Sequence, residues 1–171
     1  MLNTYIKKLL KKRPDKQNHL LRQIKALQLE VTNCCNLKCS ICSRDLRESS
    51  LDLRSLSFGD FESVFNKLCS FLDISEFNPQ GLGEPFLCVD ILKILSLVKS
   101  KQITTWLVTN GTLINDSIAR GLVEIGVDKI RISVDSADPA LYAKIKPDSR
   151  LEEIINNIRR LSFYKKSLKK D

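Results

Sequence analysis

From Ala26 onward the sequence switches regularly between two periodicities, a short β-type run and then a longer stretch with apolar residues at helical spacing, and this alternation fixes the fold class. Four such units follow one another. The first couples a strand at about Ala26 to Val31 with a helix near Phe58 to Phe71, and the second a strand at Ile74 to Gln80 with a helix near Val89 to Lys99. The third runs from Thr104 to Thr109 and then from Asn115 to Ile125. The fourth runs from Lys129 to Val134 and leads, through the stretch after Pro139, to a helix near Leu151 to Phe163. Such alternation implies parallel strands joined by right-handed crossovers, so the expected class is α/β with about four βα units, in an open sheet or a barrel. The C-terminal ends of all four strands then lie on one rim, where ligands bind in barrels and open sheets alike. The unusual residues fall there: a cysteine loop after the first strand, Gly81-Leu82-Gly83-Glu84-Pro85 after the second, Asn110-Gly111 after the third and Asp135-Ser136 after the fourth.

A length of 171 residues at 43% apolar content suits one compact domain. Residues 26–171 read as that core domain and residues 1–25 as a basic helical extension, with Leu2, Tyr5, Ile6, Leu9 and Leu10 at helical spacing before Pro14. An amphipathic helix of this kind lies on a membrane surface or packs on its own domain, and a short apolar face without Trp or Phe favours packing. The net charge of +8 gathers in Lys7 to Arg13 and Lys165 to Lys170, which solvated ends explain as well as nucleic acid does. Three Tyr and one Trp offer little base-stacking surface. No apolar run approaches a membrane span, and Met1 to Lys7 holds no secretory h-region. Six cysteines without such a leader point to the reducing cytoplasm, where clustered thiols bind metal more often than each other.

Cys35, Cys39 and Cys42 form Cys-x3-Cys-x2-Cys, whose short gaps let one loop curl around a single inorganic object. An iron-sulfur cubane of the [4Fe-4S] type meets that demand, with three thiolates on three irons and a fourth iron open to an external ligand. Zinc is the rival, and structural zinc wants four protein ligands. Cys34 is the fourth candidate, but adjacent side chains of an extended segment point to opposite sides. Cys69 and Cys88 are better read as small apolar residues of the core, Cys69 sharing a helix face with Val64, Phe65 and Leu68.

Taken in order, Leu29 to Cys42, Gly81 to Pro85, Val108-Thr109-Asn110-Gly111 and Arg131-Ile132-Ser133-Val134-Asp135 resemble the motifs of the radical S-adenosylmethionine (SAM) superfamily. The resemblance is closest to the branch that often carries a SPASM domain, and it spans about Ala26 to Leu161. It implies an enzyme whose cofactors are a [4Fe-4S] cluster and SAM, and in which a reduced flavodoxin or ferredoxin type donor supplies an electron. That electron splits SAM into methionine and a 5'-deoxyadenosyl radical, which takes hydrogen from a substrate, in this branch a peptide or protein. It implies Cys35, Cys39 and Cys42 as metal ligands, Gly83-Glu84-Pro85 as the strand end that receives the SAM amino group, and Thr109, Ser133 and Asp135 beside SAM. Leu82 stands where relatives often have Gly, with Gly81 as the source of flexibility. Lys146 stands where relatives often have an Arg that reaches the SAM carboxylate, keeping the charge without the planar fork. Ile41 replaces a common aromatic. No residue is assigned a directly catalytic role.

Relatives continue into further strand-helix units beyond the position of Asp171, so the resemblance implies that the four units form a partial (half) TIM-like barrel. A truncated or split product, a partner chain that completes the barrel, and a half barrel closed by self-association are the three expectations. An accessory half barrel that binds cluster or SAM without turnover is the alternative function.

Overall fold

A computed structural model describes residues 23–44 and 52–168. Four strands, β1 (Ala26–Gln28), β2 (Glu76–Asn78), β3 (Thr104–Thr109) and β4 (Lys129–Ile132), form one sheet in the order β1-β2-β3-β4. Every pairing is parallel, with Leu27 opposite Phe77, Phe77 opposite Thr105 and Thr109 opposite Ile132. Helices α1 (Phe58–Cys69), α2 (Ile91–Ser100), α3 (Asp116–Ile125), α4 (Pro139–Ile145) and α5 (Leu151–Ser167) fill the connections and follow the last strand. The sheet and its alternation with helices are those of an α/β partial barrel. The proposed N-terminal helix lies outside the described residues.

One face of the sheet is packed by helices. Leu27, Phe77 and Leu107, one from each of the first three strands, and Ile130 and Ile132 of β4 meet Phe61 and Phe65 of α1, Ile94, Leu95 and Val98 of α2, and Ala119 and Leu122 of α3 in one core. Phe61, Phe65 and Phe77 pack as an aromatic trio with ring centroids 5.1 to 5.9 Å apart. Cys88 is buried in this core and Cys69 packs against it, as small apolar residues do. The alternate strand positions carry Gln28, Glu76, Trp106 and Arg131, the Arg131 guanidinium lying 5.7 Å from the Trp106 ring.

Capping explains where the helices begin. Ser57 accepts from Asp60 N, Asn115 from Ile118 N and Asp138 from Leu141 N, and α3 ends on Gly126 in the left-handed conformation. The periodicity marks α4 only as a stretch after Pro139; Asp138 as N-cap followed by Pro at the first helical position makes it a helix of its own. α5 continues to Ser167, past the expected Phe163, with Lys165 and Lys166 in its last turn favouring the helix dipole.

Three strands are shorter than their apolar runs. β1 stops at Gln28, because Val31 O accepts from Leu56 N at 2.7 Å and Thr32 bridges antiparallel to Ser55, so the chain turns to pair with the segment before α1. β2 keeps only Glu76–Asn78, and β4 ends at Ile132, with Ser133 N still bonded to Thr109 O.

Candidate functional site

The rim encloses a cavity of about 260 Å³ whose lining includes Cys35, Cys39, Cys42, Gly83, Glu84, Thr109, Ser133, Asp135 and Lys146. These are nine of the ten residues assigned from sequence. The tenth, Pro85, is buried at the first position of a 3-10 turn (Pro85–Leu87) behind the cavity. Gln80, Asn110 and Val108 line the cavity without having been assigned. They close β2 and β3 beside assigned motifs, and that adjacency was the available signal.

The cysteine loop is held to the rim through its backbone. Cys34 O accepts from Glu84 N at 2.7 Å, Ser40 N donates to Ile145 O at 2.9 Å, and Cys42 N donates to Cys39 O at 3.0 Å in a tight turn. Buried Arg44 donates to Asn33 O at 3.1 Å, closing the loop from beneath. The close approach of loop and rim falls at Gly83, where a Cβ would stand 2.1 Å from Thr32 O and 2.7 Å from Cys34 O, both backbone atoms. Gly81 does not supply the flexibility that the resemblance implies in place of Leu82: among the described residues the positive-φ glycines are Gly111 and Gly126, and a Cβ at Gly81 meets only the Glu30 side chain. Gly83 is the glycine the packing requires.

Glu84 is not the solvated loop carboxylate that its position in isolation suggests. It is 3% exposed, and its oxygens accept from Thr109 Oγ1 at 2.7 Å, Asn110 N at 2.7 Å and Phe86 N at 3.3 Å. Burial pushes its pKa above the ordinary carboxylate value, against the opposing pull of those bonds and of Lys146 through space. Thr109, also buried, donates to Glu84 and accepts from Gly111 N at 2.9 Å, so its hydroxyl is engaged on both sides.

Lys146 is 4% exposed, and its ammonium pairs with Asp135 Oδ2 at 2.8 Å, donates to Ser133 O and lies 5.6 Å from the Tyr142 ring. Tyr142 is itself fixed by a 2.9 Å bond between its hydroxyl and Ser149. The fourth strand's assigned residues thus converge on one buried cation.

Cys35, Cys39 and Cys42 are half-buried and carry no disulfide. Burial pushes the Cys35 and Cys39 thiols up, while Lys146 draws Cys39 down and Arg44 draws Cys35 down. Among the described residues no three Cys, His, Asp or Glu side chains gather tightly enough to hold one metal ion. A cubane takes each thiolate at a separate iron, and three thiols around one cavity suit that donor set. Among the described residues no helix is long and apolar enough to cross a membrane.

A family model described as the Radical SAM superfamily matches residues 29–166. A probable GTP 3',8-cyclase of Pyrococcus horikoshii is 33% identical over 146 residues, 84% of this chain and 45% of the relative. One of Methanocaldococcus jannaschii is 28% identical over 139 residues, 81% of this chain and 46% of the relative. The chain therefore spans about half the length of the curated relatives it matches. Among solved structures, Streptococcus suis SuiB bound to its precursor peptide SuiA superposes with a TM-score of 0.71 at 21% identity, over 87% of this chain and 33% of SuiB. An anSMEcpe structure with bound AdoMet gives a TM-score of 0.64 at 22% identity, over 82% of this chain and 41% of that one.

Proposed function

The chain belongs to the radical SAM superfamily, whose cofactors are a [4Fe-4S] cluster and SAM, and from that membership we propose that the thiol-lined cavity receives both. Cys35, Cys39 and Cys42 would supply three thiolates to the cluster, and with no fourth cysteine on the cavity one iron would be left for SAM. When bound, the pair supplies reductive cleavage of a carbon-sulfur bond to methionine and a 5'-deoxyadenosyl radical that abstracts hydrogen from substrate.

This chain's residues prepare the ground for that chemistry. Gly83 lets the backbone of the second strand's end come against the cysteine loop, so Gly83 and Glu84 line the same cavity as the three thiols. Glu84 contributes a fixed acidic group for the SAM ammonium and keeps the Thr109-Asn110 turn in place. Lys146 contributes a positive charge for the SAM carboxylate, held ready by Asp135 and Ser133. The observation that carries the reading is that residues of four sequence motifs, spread from Cys35 to Asp135, line one cavity together with Lys146.

Two substrate readings follow from the relatives. Sequence likeness to probable GTP 3',8-cyclases favours a nucleotide, and fold likeness to SuiB with its precursor peptide favours a peptide or protein. The test is anaerobic reconstitution followed by reduction with SAM, with GTP or peptide added in separate arms. We expect about four irons per chain and release of 5'-deoxyadenosine, faster in the arm that holds the substrate. Cluster without cleavage identifies the accessory half barrel instead. Stoichiometric zinc without visible absorbance, or unchanged iron after Ala replaces Cys35, Cys39 or Cys42, overturns the reading.

A further inference from the structure

Cys35 is fastened on both sides, and on one side by a closed ring of side chains. Asn110 Nδ2 donates to Asn36 Oδ1 at 3.0 Å, Asn36 Nδ2 donates to Thr112 Oγ1 at 2.8 Å, and Thr112 Oγ1 donates to Asn110 Oδ1 at 2.7 Å. The donors run head to tail around the ring, so each bond polarises the next. Asn36 is the loop's member, next to Cys35; the other two come from the turn after β3, more than seventy residues away.

The turn is itself anchored. Asn110 N donates to Glu84 Oε2, and buried Asn157 of α5 donates to Gly111 O at 2.7 Å and Thr112 O at 3.3 Å. On the other side of Cys35, Cys34 O accepts from Glu84 N. Cys39 is secured separately: Lys38 N donates to Asp148 Oδ2 at 3.3 Å and Ser40 N to Ile145 O. The loop thus has separate fastenings beside Cys35 and beside Cys39.

We propose that Asn36 is a positioning residue that sets the Cys35 thiol through the Asn110-Thr112 ring, without governing Cys39. The proposal rests on the cluster reading for its purpose, but its geometry can be tested without a cluster. In apo protein, iodoacetamide labelling of each cysteine is followed by peptide mass spectrometry. Asn36→Ala should label Cys35 about fivefold faster than wild type, the scale of one to two lost hydrogen bonds, with Cys39 unchanged. Asp148→Ala should do the reverse. Thr112→Val, which breaks the ring from the distant side, should reproduce the Cys35 effect, and the double variant should equal either single one because both open the same ring.

In reconstituted protein, Asn36→Ala should release iron to a chelator about tenfold faster and alter the electron paramagnetic resonance line shape of the reduced cluster. Unchanged Cys35 labelling in Asn36→Ala and Thr112→Val at wild-type melting temperature, or strictly additive effects in the double variant, overturns the proposal. Failure of wild type to take up iron overturns the cluster reading alone, and the labelling still decides the role of Asn36. If Asn36→Ala does not fold, Thr112→Val decides it.

Discussion

The two ends of β3 hold the same kind of arrangement with opposite electrostatics. At the N-terminal end, buried Thr105 donates to Asp128 from its amide at 2.7 Å and its hydroxyl at 3.0 Å. At the C-terminal end, buried Thr109 donates to Glu84 from its hydroxyl, and the next amide joins it. Asp128 also has Lys99 at 2.7 Å and is partly exposed, so despite burial its pKa falls below the ordinary value. Glu84 has only dipoles in contact and Lys146 at a distance, and burial wins. A strand end that only closes the fold neutralises its carboxylate. The end that faces the cavity leaves one poorly compensated, which the fold tolerates through hydrogen bonds and which suits a cationic ligand.

The sharpest challenge to this contrast is removal of each acid. Glu84→Ala leaves Thr109 Oγ1, Asn110 N and Phe86 N without their buried acceptor and should cost about 3 kcal/mol by chemical denaturation, whereas Asp128→Ala, with a more exposed site, should cost about 1 kcal/mol. An equal loss would erase the difference. Gly83→Ala comes next at about 2 kcal/mol, because its Cβ meets two backbone carbonyls that cannot swing aside. Gly126→Ala, strained in φ but in open space, should cost about 1 kcal/mol. Thr109→Val and Thr105→Val refine the picture further: the first should exceed the second by about 0.5 kcal/mol, since Asp128 retains Lys99 and an amide.

The smallest effect is the pH dependence, and its sign differs at the two ends. Asp128, with its folded pKa lowered, stabilises above the unfolded value of about 3.9 and loses that contribution as pH falls through its folded pKa. Glu84, with its folded pKa raised, favours the folded state below the unfolded value of about 4.3 and loses that favour as pH rises through its folded pKa. Urea midpoints from pH 3 to 8 should therefore show the wild-type advantage over Asp128→Asn growing with pH and that over Glu84→Gln shrinking. Slopes of the same sign in both variants would refute the contrast.

Much of this was legible in the sequence because periodicity reports burial on one face. β3 and the start of α1, α3 and α5 follow their apolar patterns closely, and the four motifs point to one rim. Where the sequence misleads, long-range partners decide. β1 ends early because Val31 and Thr32 pair with residues 55 and 56, and no local pattern announces that. Glu84 looks solvated until Thr109 and Asn110 arrive from 25 and 26 residues away. The Asn36 ring is likewise invisible locally, since its members have no common periodicity. α4 is different: Asp138-Pro139 is a legible cap and first position, and a closer reading of that pair finds the helix.

α5 presents Asn157, Arg160 and Tyr164 as a polar stripe, bonded in turn to Gly111 O, to Ile114 O and to Asp116 Oδ1. Fraying of this last helix therefore releases the carbonyls after β3 in the same event. Deuterium uptake at residues 110–116 should follow that of residues 157–164 of α5 as one cooperative unit, which makes the far helix a thermodynamic guardian of the rim it never touches through the cavity.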